Sequence, residues 1–257
     1  PPIINFALIL LSSTFFANVS TWILVEFIDA DTLIERNAVA LLIKQFSLPK
    51  VVAVSGNVCI LSGDGGVNNL VSRLQQYEYL LSLEMGRRFN ALMNMLIIIP
   101  SALGAFRRDV GNSIGLFDID TYTDDFDITV KIRKYGGKIT FAEKAISWTF
   151  CPSSWRTWIK QRIRWASGQT SVLRKHSDTF RKYNYSLHLV FAMYDMVLMD
   201  MQLLVTRTIW LFFVGYFYSN NLLFIILLML IVYFVNETVS FVYAELLSPR
   251  KSDLKMI

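Results

Sequence analysis

Cysteine is nearly absent from this 257-residue chain: Cys59 and Cys151 are the only two, and no C-x-x-C spacing is present. That argues against a disulfide framework or a zinc site, and it fits a reducing, cytosolic environment. Histidine is equally scarce, and His176 and His188 stand isolated, with no role assigned to either. No charged leader with a cleavage site is present, so no signal peptide is visible. The chain lacks an initiator Met and opens mid-pattern at Pro1-Pro2-Ile3-Ile4-Asn5-Phe6, as a piece of something longer would. Nor does an RRM, KH or helix-turn-helix pattern accompany its basic charge, which argues against nucleic acid as a partner.

Apolar residues are abundant and unevenly spread. The hydrophobic fraction is 54% and the mean hydropathy +0.42, high for a soluble enzyme. The surplus concentrates after about Leu187, so a globular part followed by a membrane part is expected. The net charge of +5 sits largely within 156–182 and suits an anionic lipid surface or a phosphate-bearing substrate.

That basic stretch is the most distinctive in the chain. Trp155, Trp158 and Trp165 interleave with Arg156, Lys160, Arg162 and Arg164, and Trp158, Arg162 and Trp165 fall on one helical face. Indole rings and guanidinium forks together can hold a sugar ring and a pyrophosphate. A basic amphipathic helix lying on a membrane surface has the same composition.

Upstream, residues 3–28 read either as a transmembrane helix or as a buried helix (Ile4–Ser13), a polar turn and a buried strand over Trp22–Ile28. Asp29-Ala30-Asp31 follows. Carboxylates two apart at a strand end can chelate one hard cation, or can simply cap a helix over Thr32–Phe46. A strand from Val51 to Val58 and a Gly63–Gly66 turn precede a long helix over Asn69–Met93, whose Arg87 and Arg88 read as a solvated face. Small residues around Gly104 allow close approach of a substrate, or tight packing. Asp124, Asp125 and Asp127 open a helix running to Tyr135. Capping favours acids there, but three exceed what a cap requires, and crowding raises a carboxyl pKa toward that of a general base. Strands over Lys138–Ala142 and Ala145–Phe150 lead into the Trp/Arg helix.

Taken in order, D-x-D (Asp29, Asp31), T-D-D-x-D (Thr123 to Asp127) and Q-x-x-R-W (Gln161, Arg164, Trp165) resemble the processive family 2 glycosyltransferases, which include synthases of cellulose, chitin, hyaluronan and poly-N-acetylglucosamine. The resemblance covers nearly the whole chain. It implies an α/β fold: a GT-A-like, Rossmann-type domain, truncated at its N-terminus, followed by an interfacial helix and transmembrane helices. Asp29 and Asp31 would hold Mg²⁺ or Mn²⁺ on the diphosphate of a nucleotide sugar, and Asp125 would be the catalytic base, supported by Asp124 and Asp127. Gln161, Arg162, Arg164 and Trp165 would contact diphosphate and acceptor sugar, and Gly104, Ala105 and Phe106 would line the acceptor site. Two departures stand out. Asp124 occupies a position that is usually Glu, and Leu103 precedes Gly104 where the family usually has a small residue. The family's nucleobase-reading strand lies upstream of D-x-D, where this chain is too short to contain it, so weak nucleotide binding is expected.

The expected domains are 1–152 (catalytic), 153–186 (interfacial helices) and 187–257 (a transmembrane hairpin with helices near 189–218 and 222–246, and a cytoplasmic tail). Arg174, Lys175, Arg181 and Lys182 before the hairpin, and Arg250, Lys251 and Lys255 after it, place both ends and the catalytic motifs on the cytoplasmic side of a multi-pass membrane protein. Glu237 and Arg207 are candidates to line a glycan conduit, whereas Asp195 and Glu245 are expected to snorkel to the headgroups. The expected partners are a nucleotide-sugar donor, a glycan or lipid-linked acceptor and membrane lipids. Single-sugar transfer to a lipid and an inactive membrane scaffold are the alternatives.

Overall fold

A computed structural model describes residues 10–11, 24–61, 69–118, 120–181 and 185–248. Its centre is a six-stranded mixed sheet. The strands are β1 (Leu10–Leu11), β2 (Leu24–Phe27), β3 (Thr32–Ile34), β4 (Val51–Ile60), β5 (Gly104–Arg107) and β6 (Lys138–Thr149). They lie in the order β1-β2-β5-β4-β6-β3, with β4 and β6 parallel and the other pairs antiparallel. The β4–β6 pair runs the length of the sheet because both strands are long and rich in β-branched residues. The two strands expected around residues 138–150 are one strand.

The sheet is covered on both faces. Val25, Phe27, Ala53, Phe106 and Ile139 pack with α4 (Arg108–Ile114) and α5 (Asp124–Tyr135) through Val110, Ile128 and Ile132. On the other face Val51, Val54, Leu103 and Ala105 meet Ala38 and Leu42 of α1 (Ala38–Lys44). Side chains buried as fully as Phe106 and Ile128 contribute about 1.5–3 kcal/mol each. A polar exception is Glu26: it is 4% exposed, and among the described residues neither carboxylate oxygen has a hydrogen-bond partner.

Several expectations need correction here. Of the helix expected over Ile4–Ser13, only Leu10 and Leu11 are described, and they form a strand paired with β2; the rest lies outside the described residues, as does Gly63–Gly66. The helix expected from Thr32 begins only at Ala38, because Thr32-Leu33-Ile34 pair with β6 as β3. Asp29 and Asp31 therefore sit in a strand-to-strand turn, closed by Thr32 N–H on Asp29 C=O (3.0 Å), and cap no helix.

The long helix after Asn69 starts with a reciprocal cap between Asn69 and Ser72. It comprises α2 (Leu70–Tyr79), a π-helical turn (Leu80–Gly86) and α3 (Arg87–Leu92). Then come α6 (Trp155–Lys175), α7 (Leu187–Phe217) and α8 (Leu222–Leu247), the last two joined by a 3-10 turn at Ser219–Asn221.

The hairpin is present, but its two helices differ. Leu189, Ala192 and Met193 at the start of α7 are buried against Phe126, Val130 and Val172 of α5 and α6. Among the described residues, only Ser219–Leu247 is long and apolar enough to cross a membrane, by length and composition. A multi-pass arrangement is thus not supported. The end of α8 returns to the globular part: Tyr77 hydroxyl donates to Glu237, Phe241 stacks on Tyr77 at 5.4 Å, and Arg88 donates to Leu247 C=O. Glu237 is thus engaged by the globular part, and Glu245 is buried instead of snorkelling.

Candidate active site

A cleft of about 460 Å³ opens at the ends of the central strands, lined by residues from every expected motif. Asp29 and Asp31 come from the β2–β3 turn, Asp124 and Asp125 from the first turn of α5, and Gln161, Arg162, Arg164 and Trp165 from α6. Residues nearly 140 positions apart converge because β2 and β5 are neighbours in the sheet, while α6 lies against the N-terminus of α5. Gly168 makes that last contact possible: a Cβ there would lie 2.4 Å from Thr123 Cγ2.

The acids feel one another. Burial pushes the Asp125 carboxyl up to about 6; the Phe126 and Ser101 backbone amides pull it down, and Asp124 and Asp29 push it further up. Asp125 Oδ1 accepts from Phe126 N–H at 2.8 Å. Asp29 is raised by burial, held back by Ser101 Oγ, which donates to it at 2.8 Å, raised by Asp31 and Asp124, and lowered by Arg164. This acidic oxygen set fits a hard divalent cation at Asp29 and Asp31, whose charge would offset the burial and the neighbouring carboxylates that raise Asp29.

Arg162 does not face a ligand freely. It donates to Glu78 at 2.6 Å, and its guanidinium lies 5.4 Å from the Trp158 ring and 4.3 Å from that of Trp165. One face of Trp165 is thus already covered, and Arg162 orders the aromatic wall of the cleft. Gln161 Oε1 is buried in the same wall, without a hydrogen-bond partner among the described residues.

Two groups of expected residues lie elsewhere. Gly104, Ala105 and Phe106 are inside the sheet, where a Cβ on Gly104 would meet the Phe27 ring at 2.3 Å. Close packing explains the small residues, and the cleft wall is Pro100, Ser101 and Ala102 instead. Asp127 is fully buried on the far side of α5, bonded to His176 (2.8 Å) and Lys175 (3.1 Å). Asp118, Asp120 and Asp127 have ligand atoms within 4.8 Å of one another, as a cation site would, but Lys175 Nζ contacts all three.

The cleft also holds Arg87, expected on a solvated face, and two residues given no role from the sequence, Tyr79 and Glu78. Arg87 lines it, and burial lowers its guanidinium to about 10, with Tyr79 and Asp125 pulling it back up. A π-helical turn, a feature that concentrates at functional sites, lies next to these residues, and no sequence pattern announces it.

Glycosyl transferase family group 2 matches residues 22–236, most of the chain. The chain belongs to that family. As a family 2 glycosyltransferase it is 27% identical over 165 residues to a poly-beta-1,6-N-acetyl-D-glucosamine synthase of Staphylococcus epidermidis, and equally to that of Staphylococcus aureus strain COL. Each match covers 63% of this chain and 39% of the relative, so the chain spans well under half the relatives' length. A mannosyltransferase from Pyrobaculum calidifontis, solved with GDP-Man and Mn²⁺, superposes with a TM-score of 0.57 at 20% identity, covering 87% of this chain and 61% of the other. The fold of this family 2 glycosyltransferase is therefore mixed α/β and GT-A-like, and its relatives are polysaccharide synthases.

Proposed function

We propose that the cleft transfers a sugar from a nucleoside diphosphate sugar to a hydroxyl of a growing β-linked glycan, with inversion at the anomeric carbon. The observation that carries this reading is Asp125, a carboxyl whose pKa burial raises, sharing one cleft with the Asp29/Asp31 pair and with Arg164. Asp125 takes the proton from the acceptor hydroxyl as that oxygen attacks, and a pKa near 6 leaves it ionised yet basic at neutral pH. Asp124 orients it, accepting from Asp125 N–H at 3.0 Å. Asp29 and Asp31 would hold Mg²⁺ or Mn²⁺, which supplies positive charge against the departing diphosphate. Arg164 adds fixed positive charge on the same side. Gln161 Oε1, an acceptor with no partner among the described residues, is available to a sugar hydroxyl.

The same reading puts the enzyme at a membrane, with the catalytic part at 1–152, α6 at the interface and α8 as anchor. Trp155, Ile159 and Ile163 form an apolar stripe along α6, each about half exposed, beside Arg156 and Lys160. The test is incorporation by membranes carrying the protein, given UDP-N-acetylglucosamine, UDP-glucose or GDP-mannose with Mn²⁺. Metal-dependent incorporation of one sugar into long chains is the expected result. A single transferred residue would favour a lipid acceptor, and no incorporation from any donor would overturn the reading.

A further inference from the structure

The charged cluster behind the cleft has no place in the chemistry above, yet it brackets the catalytic acids. Lys175, at the last turn of α6, donates to Asp118 (2.6 Å), Asp120 (2.8 Å) and Asp127 (3.1 Å). Asp118 and Asp120 precede Asp124-Asp125 in the chain, and Asp127 follows them. One ammonium therefore holds carboxylates on both sides of the acid pair and ties them to the helix that carries Gln161, Arg164 and Trp165. Lys131 also bonds Asp118 at 2.8 Å, while His176 bonds the second oxygen of Asp127. Lys134 and Tyr185 bind Asp178 next to it.

We propose that Lys175 is a positioning residue, its ammonium serving as the resident cation of a three-carboxylate cage that sets the distance from Asp125 on α5 to Arg164 and Trp165 on α6. The proposal rests on the glycosyl-transfer reading for its consequence, but not for its geometry. Asp127 is 0% exposed, so its negative charge needs a partner on the spot, and breaking such a pair is costly. Burial opposes its charge, but the hydrogen bonds it donates to three carboxylates hold the lysine protonated, well above its ordinary range. The contact at the other end of the same interface, Gly168 against Thr123, leaves no room for α6 to slide.

The test uses Lys175→Met in the full chain, read by hydrogen exchange and by rescue with calcium, neither of which requires a donor sugar. Exchange at the amides of Asp125 to Thr129 is expected to quicken about tenfold, with β4 and β6 unchanged. Millimolar calcium, a hard cation that accepts carboxylate ligands in flexible geometry, is expected to reverse this in the variant and leave the parent protein unaffected. In the transfer assay kcat falls while the donor KM holds. Unaltered exchange, acceleration spread evenly over β4 and β6, or no response to calcium would overturn the proposal. If Lys175→Met does not fold, Asp118→Asn with Asp120→Asn loosens the same cage. Faster exchange at the same amides supports the proposal, and unchanged exchange defeats it. A protein that shows the exchange effect but transfers no sugar would defeat the proposed function and leave the cage intact.

Discussion

Gly168 and Thr123 touch so closely that no side chain fits between them: a Cβ on Gly168 would come within 2.4 Å of Thr123 Cγ2 and 2.7 Å of Thr123 Oγ1. In an ordinary helix interior, Gly→Ala stabilises by about 1 kcal/mol. Here the sign should reverse. Gly168→Ala forces α6 away from the acids at the start of α5, with an overpacking cost of about 1–3 kcal/mol. We expect a lower melting midpoint and a fall in transfer on the order of a hundredfold, whereas Gly215→Ala in α7, where no described atom lies within 4 Å, should leave transfer unchanged and raise the midpoint slightly.

The pH profile tests the role of Asp125. Because its carboxyl is pushed up to about 6, kcat/KM should rise with pH and level off above an inflection near 6. An inflection near 4 would mean that another group is being titrated.

Arg87 supplies an independent check on that assignment. Its charge and that of Asp125 sense each other, so removing the cation disfavours the ionised carboxylate. Arg87→Met should move the inflection above 6, and Arg87→Lys should hold it close to 6.

Glu26 gives a prediction about stability. Burial pushes this carboxyl from 4.5 to about 7, so the folded state retains a proton that the unfolded chain releases. Its contribution is fully present below pH 4.5 and is lost as pH rises through 7. Glu26→Gln should therefore raise the melting midpoint by ~5 °C at pH 8 and hardly at all at pH 4.

Much of the site was legible because each motif is a local pattern. Asp29-Ala30-Asp31, Thr123 to Asp127 and Gln161 to Trp165 announce themselves by spacing, and their elements follow from apolar periodicity. Contacts that depend on packing across the chain were not legible. Arg87 looked solvated on a regular helical wheel, but the π-helical turn at Leu80–Gly86 changes the register before it. Asp127 shared a motif with Asp125, yet it lies on the opposite side of the helix, with partners 48 and 49 residues away. Gly104 looked like a place for substrate, but the Phe27 ring occupies it. Apolarity after Leu187 suggested two spans, because the sequence does not reveal that the first turns of α7 are consumed by the globular core.

The most direct test of the account is Asp125→Asn in membranes, compared with the parent protein on the same donor and Mn²⁺. Loss of the base should cut sugar transfer by roughly 10²–10⁴-fold and leave metal-dependent donor binding in place. A variant that still transfers sugar at close to the parent rate would contradict the account at its centre.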